Sequence, residues 1–219
     1  MIPDLPYRVF AVDPATGKSG WAVVDLLSVQ PLRIRIIAHG LLEGDKLLRT
    51  KKEMAELYPR QFCVLDALYD EYERLIKLYK PDRVASESAF GYVHMSAFMS
   101  LTLAINTLRR VSAKLLNKDI MEVPPTITKA AFTGRGGADK DLMRLAYQTN
   151  PYLENKVEDG NLISEHEIDA IGHSIGHIKR DILQTINQVS AKDKKRQKLE
   201  RKKAKQLADL QKQKIIGIG

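Results

Sequence analysis

"YRVFAVDPATGKSGWAVVDL", residues 7–26, is the stretch that decides the fold. Two apolar runs, Val9 to Val12 and Trp21 to Val24, flank a segment holding Pro14, Gly17 and Gly20. β-rich runs separated by Pro and Gly predict two strands around a turn. Asp13 closes the first strand. A carboxylate there projects from the rim of a sheet into a crevice, a common ligand position in α/β folds. Asp also caps turns, so this residue decides nothing alone. "GKS" at 17–19 is not a phosphate-binding Walker loop. The glycine such a loop needs five residues before Gly17 is replaced by Val12, and a strand follows the lysine.

Working outward, "LRIRIIAHGLL" (32–42) alternates as a third strand. Residues 46–80 have helical spacing, split or kinked at Pro59. "PDRVASESAF" (81–90) reads as a short buried strand entering a loop, with Glu87 at its end and Phe90 in the loop. An amphipathic helix follows over 96–117, then a strand in "DIMEVPP" (119–125) stopped by two prolines. "TITKAAFTG" (126–134) predicts a short helix, and 135–150 a loop and another helix. Ser164, with Glu167 three residues on, predicts a capping box opening a helix that runs to about 188. Five strands in this order predict an α/β fold with a mixed five-stranded sheet, three antiparallel strands and then parallel ones, and helices on both faces. Residues 1–188 form the expected domain and 189–219 a basic, helical or disordered tail.

The chain's 219 residues, 44% hydrophobic, suffice for one domain with a real core. No apolar run nears the roughly 20 residues that span a bilayer. The first residues lack the pattern of a secretory signal. A lone cysteine, Cys63, excludes an internal disulfide and a cysteine-rich zinc site. An intracellular, reducing location is expected. The net charge is +8, and residues 191–219 carry eleven Lys/Arg against three Asp/Glu, so the tail holds the whole excess. A basic tail on a neutral domain suits a polyanion, above all nucleic acid; its bland reading is a solvated end.

"ISEHEIDAIGH" (163–173) concentrates acids and a histidine in two helical turns. Residues three or four apart share a face, so Asp169 faces the same way as His166 and Glu165, while Glu167 serves the cap. The pattern alone leaves open whether Glu165 or His166 joins Asp169. His173 and His177 have the i, i+4 spacing of a zinc pair but lie deeper in the helix, and are read as structural or surface residues. Asp13, Glu87 and Asp169 thus come from three separate elements. Hard cations take oxygen ligands, and two of them support phosphodiester hydrolysis. Phe90 sits where an aromatic would stack on a base, its alternative being core packing.

In this order the motifs resemble the RuvC family of Holliday junction resolvases, within the RNase H-like nuclease superfamily. "VFAVDPATGKSGWAVVD" is similar to the family's opening hairpin, with Asp13 as first acid. "PDRVASESAF" is similar to the segment bearing the second acid, Glu87, and a junction-facing aromatic, Phe90. "EVPPTITKAAFTGRGGADKDLM" resembles the stretch with DNA-contacting lysines, placing Lys129 and Lys140. "EHEIDAIGHSIGH" resembles the last motif, with Asp169 as final acid and His166 where some members have Asp. Ala15 stands where the family usually has Gly, and the stretch between hairpin and Glu87 is longer than in bacterial members.

The resemblance implies a homodimer that cuts four-way DNA junctions by paired symmetric nicks, leaving 5′-phosphate and 3′-hydroxyl ends. It implies two Mg²⁺, or Mn²⁺, on Asp13, Glu87 and Asp169, with His166 as a further ligand or water-orienting group. Activity is expected to fall as His166 protonates near pH 6.5. Partners are branched DNA and a second copy, with no membrane, in a nucleoid or equivalent DNA-containing compartment. A related nuclease on other branched DNA or RNA, a non-cleaving junction binder and an actin-like phosphotransferase are the rivals. Against the last, this sequence shows no second phosphate loop with adenosine-site glycines.

Overall fold

A computed structural model describes residues 3–89, 94–157 and 162–188, together with 195 and 200. Strands β1 (Tyr7–Asp13), β2 (Lys18–Val29) and β3 (Leu32–Glu43) form an antiparallel meander. Three short helical pieces follow: α1 (Gly44–Leu48), a 3₁₀ turn (Arg49–Lys51) and α2 (Lys52–Leu57). Pro59 separates them from the long α3 (Arg60–Tyr79) and serves as its N-cap residue. The expected break at Pro59 is present, and the segment before it is broken further than periodicity indicates.

β4 (Arg83–Glu87) returns parallel to β1, and β5 (Met121–Val123) runs parallel to β4 after the crossover helix α4 (Met95–Leu116). Helices α5 (Pro125–Thr133) and α6 (Lys140–Thr149) follow. α7 (Glu165–His177) continues into a π-helical turn, Ile178–Leu183. A sixth strand of two residues, β6 (Leu153–Glu154), adds parallel to β3. The sheet order is β5-β4-β1-β2-β3-β6. β6 is too short to carry alternation, which is why the five-stranded expectation lacks it.

The sheet is buried on both faces because neighbouring residues of β1 point to opposite cores. Val9 and Ala11 pack with Ala22, Val24, Phe132, Tyr147 and the apolar side of α7. Phe10 and Val12 pack with Trp21, Val23, Val84 and the inner faces of α3 and α4. Gly20 lies within β2, opposite Asp13, and not in the turn where its sequence context puts it. No helix among the described residues is long and apolar enough to cross a membrane.

Candidate metal centre

Register brings the first two acids together. Val12 pairs with Ser86 in the parallel β1–β4 ladder, so Asp13 and Glu87 end adjacent strands on the same edge. Glu87 pairs in turn with Val123, and β5 runs through Pro124 into α5 there. Proline suits the first turn of a helix, whose early N–H groups have no intrahelical acceptor. The N-terminal part of α5 therefore delivers Thr128 and Lys129 to the strand ends.

α7 supplies the remaining groups. The Ser164 hydroxyl accepts from the Glu167 backbone N–H, and Glu167 Oε2 accepts from the Ser164 backbone N–H at 2.9 Å. The capping box is therefore present, and Glu167 is buried in it. His39 of β3 donates from Nδ1 to Glu167 Oε1 at 2.7 Å, fastening the start of α7 to the sheet. Behind Asp13, Ser19 Oγ donates to its backbone carbonyl at 3.0 Å and lies 3.1 Å from the buried Tyr72 hydroxyl.

These elements enclose a pocket of about 230 Å³ lined by Asp13, Glu87, Pro125, Thr128, Lys129, Asp169 and His173. Burial, reinforced by the charge of Asp13, pushes the Asp169 carboxyl up from 3.8 to about 6. The Lys129 and His166 charges oppose that rise. Such a site is short of positive charge.

His166 donates from Nδ1 to Asp13 Oδ2 at 2.8 Å, and that bond raises its pKa above 6.5, so the protonation expected near pH 6.5 shifts to higher pH. The Glu165 carboxylate lies 2.6 Å from Lys140 Nζ, and this pairing holds it below the usual range. Of the two alternatives left open by helical spacing, His166 bonds to Asp13, whereas Glu165 pairs with Lys140. Lys140 is exposed at the rim in that ion pair, while Lys129 lines the pocket. Phe90 and the basic tail, apart from residues 195 and 200, lie outside the described residues.

His173 is the residue that pattern reading passes over. It continues the Asp169 face by one turn, a relation visible in the sequence, but is neither a surface group nor half of a zinc pair with His177. It is 3% exposed, and Asp13, Glu87 and His173 each offer a ligand atom within 4.8 Å of the others. Burial lowers its pKa to about 4, so it is neutral near pH 7. His177 is structural, with Nδ1 2.8 Å from Asp181 and Nε2 3.3 Å from the Tyr7 hydroxyl. Clustered carboxylates, a buried imidazole and a flanking lysine fit a divalent cation.

No protein-family model matches the chain. The crossover junction endodeoxyribonuclease RuvC of Rickettsia akari is 29% identical over 133 residues, 61% of this chain and 75% of that protein. RuvC of a Wolbachia from Drosophila simulans is 25% identical over 171 residues, 78% of this chain and 93% of its own. Among solved structures, Thermus thermophilus RuvC in complex with a Holliday junction substrate superposes with a TM-score of 0.64 at 16% identity, covering 82% of this chain and 97% of that one. The yeast mitochondrial Holliday junction resolvase gives 0.51 at 11%, covering 78% of each. Sequence and structural neighbours thus agree with the resemblance read from the motifs, and the fold is RuvC-like.

Proposed function

We propose, for a chain whose sequence and structural neighbours are RuvC resolvases, that it is a metal-dependent endonuclease resolving four-way DNA junctions by paired symmetric nicks. The observation that carries this reading is the meeting of Asp13, Glu87 and Asp169 from three elements in one pocket beside Lys129. Asp13, Glu87 and Asp169 would hold two Mg²⁺ or Mn²⁺, with His166 orienting Asp13. Bound metal supplies activation of a water and stabilisation of the leaving oxygen. Lys129 contributes a positive charge for the scissile phosphate. Lys140 exchanges Glu165 for a phosphate when DNA arrives, and Phe90 stacks at the branch point. A homodimer presents two such pockets to a substrate with two-fold symmetry.

The test is cleavage of a labelled four-way junction with Mg²⁺, beside a linear duplex, a flap and an RNA substrate. Paired symmetric cuts confined to the junction are expected, leaving 5′-phosphate and 3′-hydroxyl ends. Cuts mainly in the flap or RNA would retain the nuclease and change its substrate. Tight junction binding without cuts under Mg²⁺ or Mn²⁺ would make it a junction-binding protein.

The geometry also separates the two neighbours on α7. Glu165→Gln is expected to leave cleavage within a few-fold, since it removes only an exposed, solvent-screened ion pair. His166→Ala is expected to lower cleavage by about tenfold or more, as loss of a group orienting a metal ligand does. Equal losses in the two variants would overturn this division of labour. Truncation after residue 188 removes the basic excess and should weaken junction binding. It should also flatten the fall of binding with salt, by about 0.9 in log–log slope for each phosphate that the tail neutralises. An unchanged slope would dismiss the tail as a DNA anchor.

A further inference from the structure

We propose that His173 is a nitrogen ligand of the cation held by Asp13 and Glu87, that Thr128 is the positioning residue fixing its tautomer, and that this position favours Mn²⁺ over Mg²⁺. The inference rests on the metal-dependent reading above.

The two histidines of α7 are the starting contrast. His177 has partners for both ring nitrogens, as a buried structural histidine should. His173, one turn earlier and equally buried, has a partner for one. Its Nδ1 is 2.9 Å from Thr128 Oγ1, whereas its Nε2 is buried without a hydrogen-bond partner. It lines the pocket beside Asp13 and Glu87, within ligand spacing of both. Carboxylates accept and do not donate, so they leave an Nε2 lone pair unsatisfied. A cation held by the two carboxylates would take up that lone pair.

A lone pair at Nε2 requires the proton to sit on Nδ1, donated to Thr128 Oγ1. Metal-bound histidines commonly give their other N–H to such an outer partner, which fixes tautomer and ring orientation. Close packing holds Thr128 in place. A Cβ on Gly172 would lie 3.0 Å from Thr128 Cγ2, and one on Gly176 would lie 2.9 Å from Val123 Cγ1 and 3.3 Å from Thr128 Cα. Gly172, next to His173, and Gly176, a turn further on, therefore let α5 approach α7 closely enough for the contact. Mg²⁺ keeps to oxygen ligands and water, while affinity for sites containing nitrogen rises from Mn²⁺ onward along the transition series. An imidazole in an otherwise oxygen-lined position tilts it toward Mn²⁺.

The experiment uses the full chain with Mn²⁺ and no DNA, and reads ¹⁴N coupling to the bound ion by electron spin-echo envelope modulation. Direct imidazole coupling is expected in the wild type. It should persist in His166→Asp, which removes the other nearby imidazole, and vanish in His173→Gln. Thr128→Val should lower Mn²⁺ affinity about tenfold, the scale expected when an outer partner is removed, with a smaller change for Mg²⁺. Wild-type Mn²⁺ binding without ¹⁴N coupling would overturn the proposal, as would coupling that disappears in His166→Asp. If His173→Gln does not fold, the comparison of wild type with His166→Asp decides alone. Failure of junction cleavage with coupling intact would sink the nuclease reading and keep this one. Cleavage without coupling would do the reverse.

Discussion

Asp169→Asn will melt at a higher temperature than the wild type in metal-free buffer at pH 7, and will lose metal-dependent cleavage. The carboxyl of Asp169 is raised to about 6, by burial first and by the charge of Asp13 second. In the unfolded chain it ionises near 3.8. A raised carboxylate destabilises the fold wherever the unfolded chain is ionised and the folded one resists ionisation. Below about pH 4 both states are protonated and the variant should gain nothing. Between about pH 4 and 6 its advantage should grow, and above that it should level off. The gap is worth up to about 3 kcal/mol at about 1.4 kcal/mol per pH unit. That corresponds to several degrees in a domain of this size. Added Mg²⁺ should reverse the order, since it stabilises only the form that binds it. Cleavage should drop by more than about a hundredfold, the scale of a group essential to metal-assisted chemistry. A variant less stable than the wild type in chelator at pH 7, or one that still cuts, would remove Asp169 from the cation site.

How much of this is legible in residues alone differs by element. The hairpin, Asp13, Glu87 and the capped start of α7 follow from rules acting over a few residues: alternation, turn chemistry and the Ser164–Glu167 box. Parallel pairing of Val12 with Ser86 is a tertiary fact; the order of strands and helices predicts parallel strands but not that β4 joins β1. His173 is harder. Its spacing from Asp169 is local and visible, but whether a histidine at that depth has two partners or one depends on Thr128 of another helix. The choice between Glu165 and His166 likewise turns on Lys140 lying beside Glu165, a contact between α6 and α7. β6 has only two residues to announce it. Gly20 reads as a turn residue because glycine usually is one; its actual use depends on a helix that begins far downstream.

That use predicts the second large effect. Gly20→Ala will cripple the site without touching any charged group. A Cβ at position 20 would lie 2.0 Å from the backbone oxygen of His166, 2.2 Å from its carbonyl carbon and 2.7 Å from the backbone nitrogen of Glu167. All three are main-chain atoms, so no side chain can rotate out of the way. Either β2 or the first turn of α7 must move, and the two are tied through β3 by the His39–Glu167 hydrogen bond. Asp13 is paired with Gly20, and His166 is bonded to Asp13, so the displacement falls among the acids proposed to hold the cation. A misplacement of about 1 Å costs on the order of a hundredfold in rate, and overpacking costs about 1–3 kcal/mol in stability. Gly17→Ala is the matched control, since a Cβ there meets nothing within 4 Å. The expected pattern is near-wild-type cleavage and melting for Gly17→Ala. Gly20→Ala is expected to give a folded but less stable protein that binds a junction and cuts it about a hundredfold more slowly. Equal behaviour of the two variants would mean that the close seat of α7 on β2 does not set the geometry of the acids.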